Sequence, residues 1–270
     1  MSSEEDHTVT IREALNPLAS PSASQKQITS AVETITELFN ALTARPTTAA
    51  DPYSEDLIHD LLSDYLGSLF ATIFNLIKKT PQENQTHIIG FLQQLQRQSL
   101  TRSDLKFDDK EIWADLPTFG WAARDNFNFD VHDKANSKSE ERQEWENIAY
   151  FLATLTALEP VKPVFDFSLF GLWTLREAFE SNEGDTEEGV KLAAIWVHVA
   201  GKRLKGLSKK GKDFDSRLGV AGPKYEEKHA DWIGFSEERW GIWKEGFQRA
   251  EEWVESEDAQ GLVKKALELF

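Results

Sequence analysis

Phe235-Ser-Glu-Glu-Arg-Trp-Gly-Ile-Trp-Lys-Glu-Gly-Phe-Gln-Arg-Ala250 is the stretch whose reading decides the fold. Ser236 is placed to cap a helix, Glu237 and Glu238 fall where the helix dipole favours negative charge, and Phe235 precedes the cap as a staple for Trp240. Trp240, Trp243, Phe247, Ala250 and Val254 then recur at helical spacing, with Lys244, Glu245, Gln248 and Arg249 on the opposite side. A helix with three large aromatics on one face must bury that face against other elements.

The same period recurs outward in both directions. Ile28, Val32, Ile35, Phe39 and Leu42 predict a first amphipathic helix, and Asp51-Pro52 opens a second that carries Leu61, Tyr65, Leu69, Ile73 and Ile77. Thr80-Pro-Gln-Glu83 reads as a capping box that turns the chain into a third helix with Ile88, Phe91 and Leu95, making a helical hairpin. Further helices are predicted around Trp121, around Ile148 and Leu152, over Phe167 to Phe179, and from Glu187 through Trp196 to Leu204. A last one contains Leu262, Val263 and Phe270. Val164-Phe-Asp-Phe167 is the best strand candidate, and without a partner it makes no sheet. The fold class is therefore all-α: a bundle of eight or nine helices, with an N-terminal helical hairpin packed on a tryptophan-rich C-terminal bundle. Residues 1–24 read as a disordered acidic tail, 25–100 as the N-terminal helices and 101–117 as a connector. Residues 118–270 read as the tryptophan-rich bundle, one continuous domain with 25–100.

Composition narrows the function classes. With 270 residues and 40% apolar content the chain can bury a sizeable core, and the absence of cysteine removes disulfides, zinc ribbons and thiol nucleophiles. No apolar run is long enough to cross a bilayer, and the acidic start lacks the order of a signal peptide, so a cytoplasmic setting is expected, with the nucleus as the alternative. A net charge of -16 argues against nucleic acid or membrane as the main partner. Only Lys202 to Lys212, six basic residues with no acid among them, reverses the sign. That run reads as a frayed helix end and flexible loop, or as a docking or import segment.

An internal echo carries the most chemistry. Trp121-Ala-Ala-Arg124-Asp-Asn-Phe127 and Trp173-Thr-Leu-Arg176-Glu177-Ala-Phe179 share Trp-x-x-Arg-acid-x-Phe, which puts each arginine on the stripe of its own aromatics. An arginine there must stack on an indole or meet a carboxylate from another helix. Two readings follow. Either the arginines stitch a filled core, or Arg124 and Arg176 converge on a cavity and bind an anionic group. His198, beside Trp196, is the candidate proton-transfer group, against a core histidine; the remaining histidines show no metal-ligand spacing, and no nucleophile elbow, P-loop or dinucleotide fingerprint is present.

Several ordered motifs carry a resemblance: Trp-Ala-Ala-Arg-Asp-x-Phe-Asn at 121–128, Ala-Tyr-Phe-Leu-Ala-x-Leu-Thr at 149–156 and Leu-Trp-x-Leu-Arg-Glu-Ala-x-Glu at 172–180. Ala-Ala-x-Trp-Val-x-x-Ala-Gly at 193–201 and Phe-Ser-x-Glu-Arg-Trp-x-x-Trp-Lys at 235–244 continue it. Together they resemble the fungal family known as domain of unknown function 3632, over roughly residues 55–255. Phe127 stands where that family is expected to have tryptophan. The resemblance implies a mostly helical intracellular protein, and it brings no activity, cofactor or catalytic set with it.

The expectation is thus a non-enzymatic protein-binding or scaffold module with a protein partner, no metal and no cofactor. The alternative is a cofactor-independent enzyme or carrier that binds an apolar small molecule with an anionic group. Its pocket would be lined by Trp121, Trp173, Trp196, Trp240 and Trp243, with Arg124, Arg176 and Glu177 as polar anchors. Oligomeric state is left open.

Overall fold

The computed structural model describes residues 3–44, 55–132, 139–183, 185–215 and 217–270. It is helical nearly throughout, and it forms two compact units, Met1–Asn128 and Phe129–Phe270. The division therefore falls after Asn128, and the 101–117 connector lies inside the first unit.

The first unit contains α1 (Ser3–Leu15), α2 (Gln25–Thr43), α3 (Glu55–Lys79), α4 (Thr86–Leu95), α5 (Ile112–Asp115) and α6 (Phe119–Asn126). Helix α1 stands where a disordered acidic tail was expected. Its Ile11 and Leu15 are one turn apart and fully buried, and α1 packs on α2 and α3, so a narrow apolar stripe sufficed where composition suggested none. Ser24 and Gln27 form a complete capping box at the start of α2. Tyr65 fastens α3 to α2 by donating its hydroxyl to the Ile35 carbonyl at 2.7 Å, and Phe39 meets both Tyr65 and Trp113 edge-on. The Asp51-Pro52 helix start lies outside the described residues. The Thr80 capping box does not form: its hydroxyl donates back to Leu76 at 2.7 Å, and a 3-10 turn over Gln82–Asn84 leads into α4.

Between α4 and α5 runs a two-residue hairpin, β1 (Lys106–Phe107) paired antiparallel with β2 (Lys110–Glu111). Asp108 and Asp109 turn it with φ of 48° and 62°, the left-handed pair that a tight hairpin of this twist requires. It is the one named sheet among the described residues. Val164 and Phe165, the strand candidate, belong to a 3-10 turn.

The second unit contains α7 (Ser139–Thr156), α8 (Ser168–Glu180), α9 (Glu187–Lys210), α10 (Glu237–Ala250) and α11 (Glu257–Leu267). Helix α9 is its axis, packed by α7, α8, α10 and α11. The periodic residues Val190, Ala193, Trp196, Val197, Ala200 and Leu204 are all buried along it. Thr186 caps its start, and Gly211 ends it in the left-handed conformation with φ of 60°, so the basic run is ordered helix to Lys210 and not a frayed end. Three of those cations serve the fold: Arg203 pairs with Asp166 at 2.6 Å, Lys205 donates to the Leu269 and Phe270 carbonyls, and Lys212 lies 5.4 Å over the Phe214 ring.

Candidate functional site

Beyond Gly211 the chain leaves the helices for a strap that returns at Phe235. Its ends are paired, with Phe214 N–H donating to Ile233 and Phe235 N–H to Lys212, both at 2.9 Å, around an Asp213–Gly234 bridge. Gly219 lies against the Ile233 carbonyl so closely that any Cβ would collide with it. Gly222 is equally committed, since an added Cβ would come 2.5 Å from the Glu180 side chain. From 218 to 221 the residues alternate, Leu218 and Val220 turned outward and Gly219 and Ala221 inward.

What holds the strap is an ion pair sealed from solvent. Glu180, the last residue of α8, and Arg239, in the first turn of α10, are both 0% exposed. The Ser236 hydroxyl caps α10 by accepting from the Arg239 N–H at 3.1 Å, which fixes where the Arg239 side chain begins. Its guanidinium then grips the carboxylate with two parallel bonds, Nε to Oε1 at 2.8 Å and Nη2 to Oε2 at 2.9 Å. The remaining donors go to strap carbonyls: Nη1 to Gly219 at 2.7 Å and Gly234 at 2.9 Å, and Nη2 to Val220 at 3.0 Å. All five N–H groups of the arginine have acceptors.

The carboxylate is equally occupied. The Trp243 indole N–H donates to Oε1 at 2.8 Å, and the Gly222 N–H donates to Oε2 at 2.7 Å. The Glu180 carbonyl, orphaned at the end of α8, accepts from Lys224 N–H at 3.0 Å. The guanidinium also lies 5.2 Å over the Trp232 ring and 5.5 Å over Trp243, so the cation meets two indoles as well as its hydrogen-bond partners.

The residues singled out from sequence are distributed unevenly around this centre. Trp243 belongs to it. Trp173 is half-buried, stacks on Phe170 with ring centres 5.3 Å apart, and donates its indole N–H to the Leu218 carbonyl at 2.8 Å. Arg176, one turn on, is half-buried and reaches the Val220 carbonyl only at 3.4 Å. Burial, then the neighbouring Arg239 charge, hold its pKa below the usual guanidinium value, and Glu180 and Glu177 only partly offset this. Glu177 is exposed, with its Oε1 3.0 Å from His132 Nε2. Trp196 is fully buried against Gly171, and Trp240 is buried and stacks on Phe270 at 4.4 Å.

Three expectations of burial are corrected. Trp121 is 68% exposed and Arg124 is exposed, because α6 turns Phe119 and Ala123 inward, not the Trp-x-x-Arg stripe. Both belong to the first unit, whereas every other singled-out residue belongs to the second. His198 is also exposed, outside the apolar interior of α9; partial desolvation of its ring and the Lys265 charge lower its pKa, against the opposing charge of Glu268. The Phe235 staple closes on Trp243, edge-on at 5.9 Å, and not on Trp240.

Sequence reasoning missed Glu180 and Arg239 although both stand in the motifs quoted above. The signal was present: Arg239 precedes Trp243 by one helical turn and Phe247 by two, which puts it at the centre of the buried stripe. Glu180 follows Arg176 by one turn, directly beyond the echo.

The profile of the family described as "Protein of unknown function (DUF3632)" matches residues 70–247. No curated protein and no solved structure matches the chain. The matched span runs from α3 into α10 and takes in both partners of the buried ion pair and the whole strap, and by that match the chain belongs to the DUF3632 family.

Proposed function

We propose that this protein is a non-enzymatic binding module that presents a rigid surface strap to a protein partner. The observation that supports this most is the saturation of the Glu180–Arg239 pair. An acid and a base with every donor and acceptor engaged have no capacity left to move a proton or hold a substrate. Their effect is to fix backbone. Buried ion pairs add little net stability over an apolar replacement, so a pair kept at this site is best understood as specifying the shape of the strap. A surface segment held in one conformation loses little entropy when a partner docks on it. An intracellular, cytoplasmic setting and a fungal source belong to the same proposal, supported by the lack of cysteine and by the family resemblance. No described helix is long and apolar enough to cross a membrane.

The test is purification of the tagged full chain from its own host, followed by native mass spectrometry and cross-linking. A stoichiometric protein partner cross-linked to the strap is the expected result, and a partner cross-linked only elsewhere would overturn the strap as the binding surface. A small molecule retained in stoichiometric amount, with no protein partner, would overturn the proposal in favour of the carrier reading.

A further inference from the structure

The outer face of the strap carries exposed apolar side chains beside a half-buried cation. Leu218 and Val220 are each 38% exposed, two of the few large apolar side chains among the described residues that stand in solvent. The backbone beneath them is rigid: the carbonyls of residues 218, 219 and 220 accept from Trp173, from Arg239, and from Arg239 with Arg176. Arg176 lies at the edge of this rung. Among the described residues no carboxylate comes within 4.0 Å of its guanidinium, whereas Arg203 and Arg239 each have one. The strap's other nearby cations are occupied, Arg217 lying 3.9 Å from Asp215 and Lys212 5.4 Å over the Phe214 ring, so Arg176 is the charge this face offers. A half-buried cation that feels Glu177 and Glu180 only at longer range, with no carboxylate in direct contact among the described residues, leaves a place for one from outside.

We infer that the face formed by Trp173, Arg176, Leu218 and Val220 docks an extended acidic segment of a partner protein. One carboxylate pairs with Arg176 and an apolar side chain settles over Leu218 and Val220 against Trp173. This rests on the protein-binding reading above and names its surface and the chemistry of its partner. The single free guanidinium selects this occupant. Phosphate backbones and anionic membranes need several clustered cations, which this face does not offer, whereas one carboxylate needs only Arg176. A free anion would leave the two aliphatic side chains uncovered.

The experiment is fluorescence anisotropy of the full chain with a short labelled peptide of alternating glutamate and leucine, its lysine–leucine counterpart, and inorganic phosphate as competitor. The glutamate peptide binds and the lysine peptide does not. Arg176→Gln weakens binding by about tenfold or more, the loss typical of a charge-assisted hydrogen bond. Val220→Ser, an exposed change that leaves folding intact, weakens it several-fold. Binding that ignores both substitutions overturns the inference, as does failure of the glutamate peptide to bind. Displacement by phosphate with Val220→Ser silent also overturns it, and leaves an anion subsite in its place. If the host partner is captured equally by wild type, Arg176→Gln and Val220→Ser, this surface falls while the binding-module reading stands. Capture of a small molecule in place of a protein removes both.

Discussion

A guanidinium removed from water must place five N–H groups, and Arg239 places them on one carboxylate and three carbonyls that arrive from the strap. The arrangement makes the two charges interdependent. Arg239→Met leaves the Glu180 carboxylate buried with only Trp243 and Gly222 as donors, and should cost about 3–5 kcal/mol. Adding Glu180→Leu removes the stranded charge and should recover a large part of that loss. Urea denaturation of the two single variants and the double variant reads the coupling directly. Simple additivity of the single effects would show that the pair is not coupled. The general rule for this residue was legible in advance, since an arginine on an apolar stripe needs a carboxylate or an indole, and Arg239 has both. Which arginine obeys it was not. The Trp-x-x-Arg spacing drew attention to Arg124, which ended in solvent, because spacing reports the stripe a residue shares and not whether another element covers it.

At the scale of the element, α10 shows how a helix is shaped for one neighbour and left alone elsewhere. Gly246 meets α8: a Cβ there would come 2.5 Å from the Phe179 ring, and Phe179 packs edge-on with Phe247 at 4.6 Å. Gly241, in the same helix, has nothing within 4 Å of the position a Cβ would take. Gly246→Ala should therefore destabilise by about 1–3 kcal/mol through overpacking. Gly241→Ala should stabilise by about 0.5–1 kcal/mol, because alanine loses less backbone freedom in a helix interior. Opposite shifts in melting temperature are the expected outcome, and matching shifts would contradict the packing described. The caps of α9, α10 and α11, by contrast, are local: Thr186, Ser236 and Ser256 each accept from the N–H three residues on, and of the three only Ser236 was read from the sequence. Helix α1 was missed because its composition argued for disorder while its stripe was only a few residues long.

Across the whole molecule, acidic residues exceed basic ones 46 to 30, so the response to pH turns on what individual carboxylates hold in place. Glu187, in the first turn of α9, accepts from the Glu255 N–H at 2.9 Å and so ties α9 to the chain entering α11. Burial pushes its pKa up, but hydrogen bonds from Ser256 and from the N–H groups of residues 255 and 256, with the Lys191 charge, outweigh that and hold it below the usual value. A lowered carboxylate pKa contributes stability above its unfolded value, near 4.3, and loses it as pH falls through the folded value. Glu187→Gln should thus lower the melting temperature at neutral pH, and the gap to wild type should close on acidification. A gap that stays constant down to pH of about 3 would show that the charge of Glu187 contributes nothing to stability. The division of the chain after Asn128 also belongs to this scale. The polar stretch 101–117 resembled a boundary by composition, yet it supplies Trp113 and a hairpin to the first unit.

Alone, the sequence determined the helical class, most helix positions and the Ser236 cap that starts α10, because turn spacing and capping are set by residues within a few positions of one another. Tertiary structure decided the rest. Glu180 and Arg239 are 59 residues apart, and the path of the strap brings them together. No local period encodes that meeting, nor which indoles end up covered. Charge pairing and burial depend on which distant element arrives, and that is settled only when the whole chain has packed.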